Sequence, residues 1–146
     1  MREILFRGKR WESECGKPAP AIWLEGSLFY DPVLKRTFIL VYDKHAFSPG
    51  MGNMGAFHAH AVTPETVGQY TGLTDKNGQK IFEGDVVHMR TSGLSGHGEI
   101  VYKDGSFGIE DKKRNRFYYM YHDAVYRVDG NIHDNPELLE GGATDG

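Results

Sequence analysis

The residues best suited to chemistry fall in four short stretches, and each has a plain structural reading beside its functional one. Lys112-Lys113-Arg114-Asn115-Arg116 runs directly into Phe117-Tyr118-Tyr119-Met120-Tyr121. A basic turn feeding an aromatic strand is what single-strand nucleic-acid binders use to hold phosphates and stack bases. On that reading Lys112, Lys113, Arg114, Arg116 and Tyr118 are the contacts. Against it, a charged hairpin tip also keeps a protein soluble. Strand alternation sets Phe117, Tyr119 and Tyr121 on one face, fit for a core, with Tyr118 and Met120 on the other.

His58-Ala59-His60 places two imidazoles on one side of an extended segment, and imidazole is a common zinc ligand. Two ligands do not make a site. Others would have to come from afar, such as His45 or His88, so no firm metal centre is expected, and a metal-dependent hydrolase built on His58 and His60 is only an outside alternative. Gly50-Met51-Gly52-Asn53-Met54-Gly55 fits the GxGxxG pattern of dinucleotide sites, but no βαβ unit surrounds it, and no cofactor is implied. Gln69, Tyr70, Glu83 and Asp85 form a possible shared ligand surface, although paired acids on a turn are usually just solvated. No nucleophile elbow, Walker loop or HExxH helix is present, so no catalytic residue is nominated and an enzyme is disfavoured.

These groups must be carried by a fold that the composition constrains. Nineteen glycines and eighteen aromatics among 146 residues, with no long stretch at helical period, point to short strands and tight turns. The single cysteine, Cys15, cannot form an internal disulfide, which suits a reducing cytoplasm. No apolar run is long enough to span a membrane or serve as a signal peptide, so a cytoplasmic protein without membrane association is expected. Seventeen basic and twenty acidic side chains give a net charge of −3. Broad coating of nucleic acid by phosphate neutralisation is therefore disfavoured, although a local basic patch is compatible with that sum.

Along the chain, Ile4–Phe6 reads as a first strand, and Trp23–Tyr30 with Thr37–Tyr42 as a hairpin turned at Asp31-Pro32. Asp43–Ala61 reads as a long mobile loop. Thr63-Pro64-Glu65 suits either a helical start capped by Thr63 or the approach to a strand from Thr66 to Tyr70. Asn77-Gly78 suits a type I′ hairpin turn. Strands are then expected at Ile81-Phe82, Val86–Met89, Gly98–Tyr102, Ser106–Glu110, Phe117–Tyr121 and Ala124–Val128, with a helical turn begun by Asn135-Pro136. Short strands with turns at this spacing suggest a small barrel, which closing on itself would free of exposed edges.

Three blocks carry a resemblance. They are Met1–Arg10 with Trp23–Leu28, then Pro64–Gly78 continuing as Ile81–Val87, and Gly130–Leu139. Together they resemble the YopX family of small phage and prophage proteins. The resemblance implies an all-β fold with an SH3-like barrel in the C-terminal half, a phage or prophage origin in a bacterial host, and no catalytic or binding residues to carry over. The expected organisation is an N-terminal β-hairpin lobe (1–62) with a glycine-, methionine- and histidine-rich loop, a YopX-like β-barrel (63–140) ending in a short helical turn, and a disordered tail (141–146). The expected function is a non-enzymatic module that binds a host or phage protein or another copy of itself. Single-stranded nucleic-acid binding through 112–121 is the alternative.

Overall fold

The computed structural model describes residues 2–10, 22–45 and 55–140. Most of the Gly50–Gly55 motif, the centre of the expected 43–61 loop and the tail 141–146 lie outside the described residues. The chain divides into two compact units, Glu3–Gln69 and the part from Tyr70 onward, and it crosses between them inside one strand.

The N-terminal unit is more than a hairpin. Strands β1 (Phe6–Lys9), β2 (Trp23–Asp31), β3 (Arg36–Asp43) and β4 (Ala56–Ala61) pair antiparallel in the order β4-β3-β2-β1, and β1 pairs on its other side with the first residues of β5 (Gly68–Thr74). The β2–β3 hairpin turns as expected: Asp31 Oδ1 accepts from the amides of Val33 and Leu34 at 2.8 and 3.1 Å, an Asx turn that satisfies the reversing backbone. The expected loop through residue 61 is corrected at its end. Ala56-Phe57-His58-Ala59-His60-Ala61 alternates in a way that suits an edge strand, and it pairs with β3 from Phe38↔Ala61 to Asp43↔Ala56. Residues 64–66 form one 3-10 turn. Thr63 makes no side-chain cap there; instead Thr66 Oγ1 donates to the Thr63 carbonyl at 2.6 Å and accepts from the Lys9 amide at 2.9 Å.

In the C-terminal unit, the rest of β5 pairs with β6 (Lys80–Phe82) around a loop that differs from the expected type I′ turn. That turn needs positive φ at both central residues, and only Gly78 has it, at 81°. The loop is organised by Asp75, whose Oδ1 accepts from the amides of Asn77 and Gln79, both at 2.9 Å. The remaining strands, β7 (Asp85–Thr91), β8 (Leu94–Lys103), β9 (Ser106–Asp111), β10 (Arg116–Tyr119) and β11 (Val125–Asn131), form an antiparallel sheet in the order β10-β9-β8-β7-β11. A one-turn helix, α1 (Glu137–Glu140), follows.

The protein is thus all-β with antiparallel sheets, and neither sheet closes: β10 and β11 are the two edges of the second one. Its core is one-sided. Val87, Met89, Ile100, Ile109, Tyr118 and Tyr126 alternate onto a single face and, with Ile81, form one buried cluster. Tyr118 is only 8% exposed, which reverses the expected placement of Tyr118 and Met120 opposite the core face. Phe117 and Tyr119 instead lie on the other face. The Tyr126 hydroxyl on edge strand β11 donates to the Tyr121 carbonyl at 2.7 Å, in the segment that leads there from the other edge strand, β10.

Candidate functional site

The face of the second sheet opposite its core carries a dense polar cluster, and strand register builds it. His88 on β7 lies directly across from His97 on β8 and from Arg127 on β11, so three nitrogen-bearing side chains sit side by side. The two imidazole rings have centroids 4.3 Å apart at a 40° tilt. Asp129 joins them through a β-bulge: the register shifts between Val128, opposite Val87, and Gly130, opposite Val86, leaving Asp129 as the inserted residue. Bulges of this kind re-aim a side chain and are frequent beside functional sites.

Asp129 is the hub. Its Oδ1 accepts from Arg127 Nε at 2.7 Å, while Oδ2 lies 2.6 Å from His88 Nδ1 and 4.0 Å from His97 Nε2. His88 Nδ1 is also 2.8 Å from Arg127 Nη2. One ring nitrogen cannot donate to the carboxylate and accept from the guanidinium at once, and the shorter, charge-assisted contact to Asp129 is the stronger claim on the proton. Burial pushes the Asp129 carboxyl upward, but the hydrogen bonds from Arg127 and His88 outweigh it and hold the group below the ordinary aspartate value. Burial, followed by repulsion from His88, pushes the His97 imidazole below its ordinary value, so it favours the neutral form with an available lone pair.

Farther along the same face, Glu99 and Glu110 stand directly opposite on β8 and β9. Like charges at such a position repel. Burial, with a smaller contribution from Glu110 and against the pull of Lys112, raises the Glu99 carboxyl. Lys112 Nζ lies 3.8 Å from Glu110 Oε1. These groups, with Arg127, Lys113 and Arg114, line a cleft of about 450 Å3, within the range of small-molecule sites.

The nominated residues are placed as follows. Lys112, Lys113 and Arg114 are exposed on the β9–β10 turn and Arg116 at the start of β10, and Asp111 at the end of β9 accepts from the Arg114 amide at 3.1 Å. Tyr118 does not join them, because its ring fills the core; the exposed ring on β10 is Tyr119, at 54%. His58 and His60 share a face of β4 as alternation requires, with His58 Nε2 3.6 Å from Asp43 Oδ2. Among the described residues, only His88, His97 and Asp129 bring three metal-ligating side chains together. Tyr70 and Asp85 are buried: Tyr70 packs on Phe82 with centroids 5.6 Å apart, and Asp85 Oδ2 accepts from the Phe82 amide at 2.8 Å. Glu83 lies half-buried on the turn between them, and Gln69 is half-buried in the N-terminal unit.

Sequence reasoning missed a second surface. On β2, β3 and β4, alternation gathers Phe29, Phe38, Leu40, Tyr42, Phe57 and Ala59 onto one face. Phe29 packs on Phe38 and Tyr42 on Phe57, yet Tyr42 and Phe57 remain 56% and 66% exposed.

Fold and sites together define a small all-β protein of two antiparallel units, with a polar cleft on one and an aromatic face on the other. The family model described as "YopX protein" matches residues 35–140, and the chain belongs to the YopX family. Among solved structures it is similar to protein EF1440 from Enterococcus faecalis, at 23% identity over 95% of this chain and 99% of that one, with a TM-score of 0.50. At that identity the likeness is one of fold. A comparison with curated proteins found no match. No helix among the described residues is long and apolar enough to cross a membrane.

Proposed function

We propose that this protein is a non-enzymatic, self-associating binding module of phage or prophage origin, acting in the host cytoplasm, and that a second copy of the chain docks on its aromatic face. The observation that carries the reading is the exposure of Tyr42 and Phe57 on a face that also holds Phe29, Phe38 and Leu40. Contiguous apolar patches of this kind mark interaction surfaces. A second copy is favoured for two reasons. An apolar face is complementary to itself, as a two-fold interface requires. In addition β4 is the edge of its sheet among the described residues, and an edge strand is a template for pairing with another chain. On this reading the C-terminal sheet serves as scaffold, of the SH3-like barrel type that the family resemblance implies.

Three partly exposed rings are a small set of anchors for an interface, so the dimer is expected to be weak, with a Kd on the order of 10–100 µM. Sedimentation velocity across a concentration series is expected to show a monomer–dimer equilibrium in the intact chain and a monomer after Tyr42→Ser with Phe57→Ser. A monomer throughout in the intact chain, or a dimer that survives both substitutions, contradicts the reading. A host or phage protein is the other occupant, and it would be sought with the same pair of chains.

A second reading retains one favourable observation: the exposed basic segment Lys112–Arg116 leads into β10, on which the ring of Tyr119 is exposed. If single-stranded nucleic acid binds there, Arg114→Ala with Arg116→Ala should weaken low-salt binding at least about tenfold, and Tyr119→Ala should cost about 1–3 kcal/mol of stacking. Fluorescence anisotropy with labelled oligonucleotides measures both. Binding that is absent, or indifferent to all three substitutions, discards the reading.

A further inference from the structure

The cluster on the polar face of the C-terminal sheet has a geometry that the docking reading does not use. We propose that His88, His97 and Asp129 form a binding site for a divalent transition-metal ion of the zinc class, with its remaining coordination position open to the cleft. Each of the three offers a ligand atom, and these atoms all lie within 4.8 Å of one another. Donors at about 2.0–2.1 Å from a tetrahedral zinc ion are about 3.3 Å apart, so closing the set around an ion takes movements of about an ångström.

The three ligands are held by backbone rather than by flexible loops. His88 and His97 are cross-strand partners, and the bulge on β11 delivers Asp129 beside them. Arg127 Nε engages Asp129 Oδ1 at 2.7 Å and orients the carboxylate, while Oδ2 faces the imidazoles and also receives a longer 3.4 Å bond from Arg127 Nη2. Outer partners of this kind commonly fix metal-binding carboxylates and histidines. Without an ion, His88 Nδ1 meets both a carboxylate oxygen at 2.6 Å and a guanidinium nitrogen at 2.8 Å, a conflict that one proton on that nitrogen cannot resolve. A metal ion between Nδ1 and Oδ2 uses both lone pairs, and its binding requires Arg127 Nη2 to give up its contacts with His88 Nδ1 and Asp129 Oδ2 while Nε stays on Oδ1.

Two nitrogen donors and one carboxylate suit zinc and its first-row neighbours, whereas magnesium and calcium prefer all-oxygen sites. The site differs from the histidine pair that the sequence suggested, and the experiment separates the two. Untagged full-length protein is stripped with chelator, dialysed and titrated with zinc chloride by calorimetry, with magnesium chloride as control. One zinc per chain is expected, with negligible heat from magnesium. His88→Ala and His97→Ala should each lower affinity by more than about 100-fold, and Arg127→Gln by about 10–100-fold. His58→Ala with His60→Ala should change nothing. As a check that needs no substitution, cobalt(II) bound to the intact protein should show the intense visible bands of a low-coordinate site. No zinc binding, binding unchanged in both His88→Ala and His97→Ala, binding abolished by the His58 and His60 changes, or a weak octahedral cobalt spectrum would overturn the assignment.

Discussion

Gly98→Ala is expected to lower stability by about 3 kcal/mol, among the largest effects of any single methyl addition in this chain. The reason is contact rather than backbone conformation. A Cβ at Gly98 would lie 2.2 Å from the Glu110 carbonyl oxygen and 2.7 Å from its carbonyl carbon. Those atoms belong to β9 and cannot swing away like a side chain, so β8 and β9 would have to separate. Gly72→Ala provides the contrast. Nothing lies within 4 Å of its Cβ position, but φ is +91°, so only the left-handed backbone cost of about 1–2 kcal/mol applies. Urea unfolding of the two variants measures the difference; equal losses would mean that the β8–β9 approach is looser than described.

The second large effect is expected at Asp75. Its carboxylate accepts from the amides of Asn77 and Gln79 through Oδ1 and from Val128 on β11 through Oδ2 at 3.2 Å, tying the β5–β6 loop to the edge of the second sheet. Asp75→Ala leaves those amides without their acceptor and should cost about 3 kcal/mol at neutral pH, with Asp75→Asn between the two. The pH dependence follows from the direction of the shift. Burial raises the carboxyl, but the bonds from Gln79, Asn77 and Val128, with Lys76 nearby, more than reverse it and hold it below the ordinary aspartate value. A depressed acid contributes stability that is fully present above its unfolded value and is lost as pH falls through its folded one. The gap between wild type and Asp75→Ala in urea unfolding should therefore narrow below about pH 4. A gap that stays constant down to pH 2 contradicts this account of the loop.

Much of the fold was legible because its signals are local. The β2–β3 hairpin, the Asp31-Pro32 turn and the strands at 106–110 and 81–82 each follow from alternation and turn chemistry within a few residues. Strand β4 was missed because Ala56, Ala59 and Ala61 carry little β propensity, and pairing with β3 supplies what the sequence lacks. The Asn77-Gly78 turn was misassigned because Asp75, two residues upstream, captured the loop's amides. Closure was not legible from local signals: hydrogen bonding in the second sheet ends at β10 and β11.

The polar cluster was half readable. Ser92-Gly93 is a two-residue turn between β7 and β8, and counting outward from it places His88 opposite His97. Gly93 carries the positive φ, 78°, that such a reversal uses. Asp129 was not readable in the same way, because its position depends on a long-range pairing of β11 with β7 and on a bulge that breaks the alternation. Tyr118 was misplaced for a similar reason: alternation gives two faces, but only the tertiary fold decides which is covered.

Amide hydrogen exchange of the intact chain at low and high concentration tests the self-association most directly, because it reports where copies meet as well as whether they do. The account predicts that β4 amides pointing away from β3 exchange more slowly at high concentration, together with those flanking Tyr42, while the C-terminal sheet is unaffected. Exchange in β4 that is the same at both concentrations, or protection confined to the C-terminal unit, would contradict it.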